Sequence, residues 1–327
     1  MRTLGRLVVL VVLLAVVVGV LFYKRPVWVA EQGTHFGLFL ARVQSNYVLT
    51  PEGRVHYYEA ESSVPGGGIP LVLVHGLADR DESWAPMLKR LKRAGFHVYA
   101  PDLLGYGRSP KPEGSDYSIV TEEAFVVDFI QALGLQKPDV GGASMGGWVV
   151  LKLALDHPEM LNRVVVYDAA GIRFDGAAGT ANIFHPTEPA DVNKLLAMLE
   201  PEAKPLRPFV ARDALRTLQE MQPVVDKGMA SMQTGKDLLD GRLQGLTVPL
   251  LIVWGNLDRL IPVSAGYAMH GMAPNSELDI VQGCGHLAMK TCSARVAAAT
   301  ADFLKANPVP VGGVRTLTNM SEAGSRK

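Results

Sequence analysis

The chain has 327 residues, 48% of them hydrophobic and 20% charged, which suits one large α/β domain with an appendage, or two domains. Lysine plus arginine and aspartate plus glutamate balance at 32 each, so no basic footprint for a nucleic-acid partner is present. Two cysteines, Cys284 and Cys292, are too few for a disulfide scaffold. They read first as unpaired small hydrophobes, with a single bridge open to an exported domain. No C-x-x-C or H-E-x-x-H pattern occurs, so no metal or cofactor is expected. Asp156 and His157 read as a solvated helix end rather than a ligand pair.

In chain order, Leu7 to Phe22 carries no polar side chain and is flanked by Arg2, Arg6, Lys24 and Arg25. A membrane-crossing helix needs about 17 to 25 such residues. The run is at the short end, but its flanking cations can snorkel. A cleaved signal peptide should show a small-x-small site after its apolar core, and Phe22-Tyr23-Lys24-Arg25-Pro26 is a poor one. Residues 1–25 are therefore expected to be a single-pass membrane anchor of the bacterial inner-membrane type. The flanking basic residues nearly tie, and an exported domain is narrowly preferred. Residues 26–50 read as a juxtamembrane connector. Trp28 suits the lipid interface, and His35 to Val43 suits a short amphipathic helix lying on it; a linker packed on the domain is the alternative.

From Arg54 onward short apolar runs alternate with helical patterns. Arg54–Glu59, Leu71–Val74, His97–Ala100, Pro138–Val140, Arg163–Tyr167, Pro249–Trp254 and Leu278–Val281 read as strands. Ser83–Arg93, Ser118–Leu133 and Met145–His157 read as helices. This alternation predicts a mostly parallel twisted sheet with helices on both faces, with active residues beyond the carboxyl ends of the strands.

Gly142-Ala143-Ser144-Met145-Gly146 is a G-x-S-x-G pattern between a strand and a helix, the setting of a nucleophile elbow. Gly142 and Gly146 leave room for the tight turn and for the helix to pack close. Gly76, after the Leu71–Val74 strand, allows backbone to approach a substrate oxygen. The Leu77 and Met145 N–H groups are the candidate oxyanion hole. Asp102, in Pro101-Asp102-Leu103-Leu104-Gly105-Tyr106-Gly107-Arg108-Ser109, reads as a carboxylate that orders its loop. Asp168 and Asp258 both follow strands after the serine, and either can orient a histidine. Asp258 has the tighter strand–loop context. His286, in Gly283-Cys284-Gly285-His286, is the candidate base. The chain order Ser144, Asp258, His286 is that of a serine–acid–base triad on an α/β sheet.

Taken together, His75-Gly76, Pro101 to Ser109, the Ser-Met-Gly-Gly elbow, Trp254-Gly255-Asn256-Leu257-Asp258 and Gly283-Cys284-Gly285-His286 resemble the α/β-hydrolase superfamily over about Asn46 to Ala306. Within it the chain is similar to membrane-anchored serine esterases and monoacylglycerol lipases, through Asp116-Tyr117-Ser118-Ile119, the elbow and the N-terminal run. It is also similar to C–C bond hydrolases of ring-fission products, which share the elbow. The dehalogenases and epoxide hydrolases of this fold carry aspartate at the elbow, so Ser144 argues against both.

The resemblance implies an α/β-hydrolase core over 51–170 and 246–306, with a helical cap, 171–245, inserted after the sixth strand. In the cap, Ala190–Leu199 and Phe209–Met221 read as helices bounded by Pro201, Pro205, Pro208 and Pro223. Arg173 to Pro186 is rich in Gly and Ala. Leu195, Leu196, Met198, Leu199, Met221, Met229 and Met232 are candidates for an acyl tunnel, about a third of them expected to touch substrate. Residues 307–327 read as a disordered tail. The expected activity is hydrolysis of a lipid-like, monoacylglycerol-type ester through an acyl-enzyme at Ser144. One alternative is C–C bond hydrolysis, which needs a cation such as Arg173 or Arg207 for the substrate carboxylate. Another is a non-catalytic binding protein.

Overall fold

The computed structural model describes residues 2–65, 67–175 and 181–318. A single nine-stranded sheet runs in the order β1-β2-β4-β3-β5-β6-β7-β8-β9. Its strands are β1 (Gln44–Thr50), β2 (Gly53–Ala60), β3 (Ile69–Val74), β4 (Phe96–Pro101), β5 (Asp139–Ala143), β6 (Val164–Tyr167), β7 (Leu250–Gly255), β8 (Ser276–Val281) and β9 (Val314–Leu317). The β1–β2 and β2–β4 pairs are antiparallel, and every pair from β4–β3 to β8–β9 is parallel. The order reverses around β3, which places the crevice beyond its carboxyl end, between the loops of β3, β5 and β6.

Leu71, Val72, Leu73 and Val74 are all fully buried. Val72 and Val74 point into one core and Leu71 and Leu73 into the other, the period-two alternation of a strand covered on both sides. One core includes Phe125 and Phe129 of α4 (Ile119–Ala132), Trp148 and Leu151 of α5 (Met145–Asp156), and Met269 of a later helix, Val263–Met272. The other includes Leu88 and Leu91 of α3 (Ala85–Arg93), and Val296 and Phe303 of the helix Ser293–Lys305. Ser118 caps α4 by accepting from Thr121 N at 3.2 Å.

The N-terminal segment departs from expectation. The helix α1 (Arg2–Lys24) is followed after one residue by α2 (Pro26–Leu40), with Pro26 in the first turn of α2. Proline biases the residue before it away from helical geometry while suiting a first turn, which accounts for the break. Among the described residues no single helix is long and apolar enough to cross a membrane; the two together pass as a pair bent by 109°. At 1.5 Å per residue, Leu7–Phe22 covers only about 24 Å of a hydrocarbon layer of about 30 Å. The expected connector 26–50 is instead a docked helix and the first strand. Leu38 is buried, Arg80 pairs with Glu31 at 3.1 Å, and His35 Nε2 lies 3.0 Å from Glu82 Oε1. The helix expected over His35–Val43 is the end of this longer one.

The cap lies between β6 and β7. Its helices α6 (Pro189–Leu199) and α7 (Pro208–Gln233) follow a short 3-10 turn at Ala181–Phe184. Residues 176–180, within the Gly/Ala-rich stretch, lie outside the described residues. The helix expected to stop before Pro223 continues ten residues past it, to Gln233. Tertiary contact outweighs the lost hydrogen bond. Val224, Val225 and Gly228 are buried, and Lys227 Nζ donates to Glu113 O and Ser115 O. Phe209 stacks on Tyr23 at 5.4 Å, and Asp213 accepts from Val27 N at 2.9 Å, so the cap also holds the N-terminal helices.

The tail expected to be disordered supplies the edge strand β9. Arg315 reaches inward to Asp279 at 2.7 Å and to Glu277 at 2.6 Å, two buried acids that local sequence does not connect to it. Residues 319–327 lie outside the described residues. The two cysteines read first as unpaired form a disulfide, Cys284–Cys292. The turn of helix at Ala288–Thr291 folds the chain back and brings them together.

Candidate active site

Ser144 stands between β5 and α5 with φ 53° and ψ −117°, a backbone conformation that costs energy for a residue with a Cβ. Tertiary contacts hold it there. Its N–H donates to Tyr167 O at 3.0 Å, and its carbonyl accepts from Ala170 N at 3.0 Å. A Cβ on Gly142 would lie 2.2 Å from Gly146 O, and one on Gly146 would lie 2.4 Å from His75 O. Both positions therefore require glycine for close strand–helix approach.

Met145 N–H is the first of α5 and has no acceptor within the helix. Leu77 follows Gly76, where a Cβ would come within 3.1 Å of Ser144 Cβ. The β3 loop is therefore folded directly over the serine. His75 fixes this loop. Its Nε2 accepts from Leu103 N at 3.0 Å, which leaves the proton on Nδ1 to donate to Gly76 O at 2.8 Å. The role of the His75 ring is not legible locally, because its partner Leu103 N comes from the loop after β4.

His286 and Asp258 meet. His286 Nδ1 lies 2.7 Å from Asp258 Oδ2, and both residues are buried. Asp258 Oδ1 accepts from Leu260 N at 2.8 Å and Ile261 N at 2.9 Å, which fixes the carboxylate plane. The acid and histidine loops are tied together by Leu257 N donating to Cys284 O (2.9 Å) and Gly283 N to Asn256 Oδ1 (2.7 Å). No hydrogen bond joins Ser144 Oγ to His286 among the described residues; catalytic hydrogen bonds are often open without substrate.

Asp168, the other candidate acid, does not reach the histidine. Its Oδ1 accepts from Gly255 N at 2.7 Å, and the residue is buried. Burial first, and then the neighbouring Asp258 charge, push its carboxyl well above the usual carboxylate range. The neutral acid is the form that suits this position.

Asp102 orders its loop, and its partners among the described residues do not include His286. It accepts from Arg108 N (2.9 Å) and Asp81 N (3.1 Å) and lies 3.1 Å from His56 Nδ1. Burial alone would raise its pKa, but the hydrogen bonds from His56 and from the Arg108 and Asp81 N–H groups outweigh this and bring it down to about 2. His56 also lies 2.7 Å from Asp81, so β2, the β3 loop and the end of β4 share one buried polar cluster. Local sequence gave no sign of this cluster, because its members come from three separate segments.

A cavity of about 880 Å³ opens beside Ser144. Leu77, Trp148, Phe174, Phe184, Met232 and Leu238 give it an apolar wall. Of the seven cap residues proposed for a tunnel, Met229 and Met232 line it. Leu195 is buried within the cap, and Leu199 and Met221 pack against the core. Arg173 lines the cavity, but its side chain is 74% exposed and lies 3.9 Å from Asp240; Arg207 is outside it, at the start of α7.

A parallel sheet carrying a strained serine at a strand–helix turn defines an α/β-hydrolase. The chain belongs to the alpha/beta hydrolase family, whose sequence model matches residues 71–299. It is 28% identical over 249 residues to a 2-hydroxymuconate semialdehyde hydrolase of Pseudomonas putida, covering 73% of this chain and 88% of that one. It is 25% identical over 237 residues to lipase 1 of Psychrobacter immobilis, covering 68% and 72%. Among solved structures, a bacterial membrane phospholipase A superposes with a TM-score of 0.75 at 25% identity, covering 93% of this chain and 98% of that one.

Proposed function

We propose that the protein is a serine hydrolase that cleaves carboxylic esters of lipid-like, monoacylglycerol-type substrates. The apolar cavity beside Ser144 carries this reading: it suits an acyl chain, and the one cation among its described lining residues, Arg173, is exposed. In the proposed reaction, His286 takes the proton of Ser144 as Oγ attacks the ester carbonyl. Leu77 and Met145 N–H groups stabilise the oxyanion, and His286 passes the proton to the leaving alcohol. Water, activated by the same histidine, then releases the acid. Asp258 holds the imidazole with its proton on Nδ1 and stabilises the cation.

The similarity to the lipase and to the membrane phospholipase supports a lipid-like substrate. The α1–α2 pair is proposed to attach the protein to a bilayer: Val9 to Leu13 and Val16 to Tyr23 expose apolar surface, as do Trp28, Phe36 and Phe39. The disulfide favours an oxidising compartment, in line with an exported domain.

The test is a fluorophosphonate probe followed by a panel of 4-nitrophenyl esters of rising chain length, with and without phospholipid vesicles. Labelling is expected for the wild type and not for Ser144→Ala; equal labelling of both removes Ser144 as nucleophile. The similarity to the semialdehyde hydrolase favours a second reading, C–C bond hydrolysis of a ring-fission product. Turnover of such an acid exceeding that of every ester would establish it instead.

A further inference from the structure

The cap ends one of its helices directly on the histidine loop. His286 N donates to Leu199 O at 2.7 Å, at the last residue of α6. The next residue, Glu200, accepts through Oε1 from Leu287 N at 3.2 Å and from Thr291 Oγ1 at 3.1 Å. A Cβ on Gly285 would lie 2.2 Å from Leu199 O and 3.1 Å from Glu200 Cα, so only glycine permits this approach. Leu287 and Thr291 both lie within the ring closed by Cys284–Cys292, and one carboxylate oxygen joins them across it.

We propose that Glu200 is a positioning residue: from the cap, its carboxylate fixes the loop that carries His286 and supplies a second negative charge, beside that of Asp258, to the imidazolium formed during turnover. The proposal rests on the serine-hydrolase reading for its catalytic consequence. Three acids face this histidine region: Asp258 from the β7 loop, Glu200 from the cap, and Asp168 behind Asp258 at the end of β6. Glu200 is half-buried. Its carboxyl lies above the usual carboxylate range: burial, and the nearby Asp258 charge, raise it, and the bonds from Thr291 and Leu287 and the charge of His286 offset this only in part. Asp258 already occupies Nδ1, so Glu200 contributes through the loop and through space rather than by a direct bond. The cap would then do more than cover substrate, because its seating reaches the acid–base group.

The experiment uses the full chain in detergent micelles and compares wild type with Glu200→Gln, Glu200→Asp and Glu200→Ala. Glutamine keeps the acceptor and the shape but not the charge. The readouts are kcat and KM on 4-nitrophenyl butyrate and the pH dependence of fluorophosphonate labelling. Glu200→Gln is expected to lower kcat roughly tenfold with KM changed less than about twofold, the signature of an interaction realised in the transition state. The acid limb of the labelling profile moves to lower pH, because a charge favouring the imidazolium is gone. Glu200→Asp recovers part of both. An unshifted acid limb and unchanged kcat in Glu200→Gln, with Glu200→Ala losing only thermal stability, overturn the proposal. If the wild type itself neither hydrolyses esters nor labels at Ser144, the serine-hydrolase reading fails separately. The proposal is then read from the His286 ring resonance, whose titration must move to lower pH in Glu200→Gln; coincident curves overturn it.

Discussion

Asp258 holds His286 with one carboxylate oxygen, at 2.7 Å from Nδ1, and grips the backbone of Leu260 and Ile261 with the other. The adjacent Asp168 is bonded instead to Gly255 N. Two acids at neighbouring strand ends thus have different tasks. Asp258→Asn is expected to lower kcat by roughly 10³- to 10⁴-fold, since an amide cannot hold the imidazole in the same tautomer and stabilise its cation. Asp168→Asn, a neutral match for the neutral acid, should stay within roughly an order of magnitude of wild type. Steady-state turnover of both variants on one ester checks the assignment, and a reversed order would transfer the role to Asp168.

The disulfide closes a ring around His286. Breaking it, by reduction or by replacing Cys284 and Cys292 with serine, should lower stability by about 2–3 kcal/mol, as loop-closure entropy predicts for a separation of 8 residues. Activity should fall before global unfolding, because the freed segment carries the candidate base. Thermal melts and turnover measured with and without reductant give both numbers.

Asp139 at the start of the elbow strand is buried, and burial pushes its carboxyl up to about 7 against the pull of Asn162 and Arg163. Between pH ~4, where the unfolded carboxyl loses its proton, and pH ~7, where the folded one does, the folded state binds more protons than the unfolded state. Stability contributed by this group is therefore complete below pH ~4 and lost as pH rises to ~7. Asp139→Asn keeps the acceptor for Asn162 and removes the charge. Its Tm should exceed the wild type by about 3–6 °C at pH 8 and match it near pH 4. Equal melting at both pH values would show that the carboxyl is not held neutral.

Met232 faces the cavity from α7. Met232→Trp should fill part of it and reduce the ratio of long-chain to short-chain ester turnover by roughly 10- to 100-fold, the discrimination that one or two excluded methylenes supply. A chain-length profile identical to wild type would place the acyl chain elsewhere.

Gly146→Ala tests the elbow itself. Its Cβ would meet Val74 O and His75 O at 2.4 Å, both backbone atoms of the central strand and its loop. Overpacking of this kind costs about 1–3 kcal/mol and should displace α5 from β3. Denaturant unfolding measures the loss, and an unchanged midpoint would mean that the helix start can shift freely.

Much of the sheet was legible because buried parallel strands are continuous apolar runs: Leu71–Val74 and Pro249–Trp254 are recognisable without a partner. The elbow was legible because strain at Ser144 demands glycine at fixed offsets. Pro223 misled the reading of α7, since a local rule penalises proline in a helix while the compensating contacts of Val224, Lys227 and Gly228 come from the β4–α4 region. The tail misled it too, because the strand at Val314–Leu317 exists only through pairing with β8 and through Arg315 reaching two buried acids.

The alternation that makes a parallel sheet, the serine turn and the order of Ser144, Asp258 and His286 along the chain depend on residue type and local spacing, and they are legible without a fold. Which aspartate meets His286, how close Cys284 and Cys292 come, and that Glu200 reaches a histidine loop 87 residues further along the chain follow only from three-dimensional packing. Those relations depend on where separate strands and the cap end in space. A carboxylate's direction is set by the N–H groups around it, and local spacing carries no record of them.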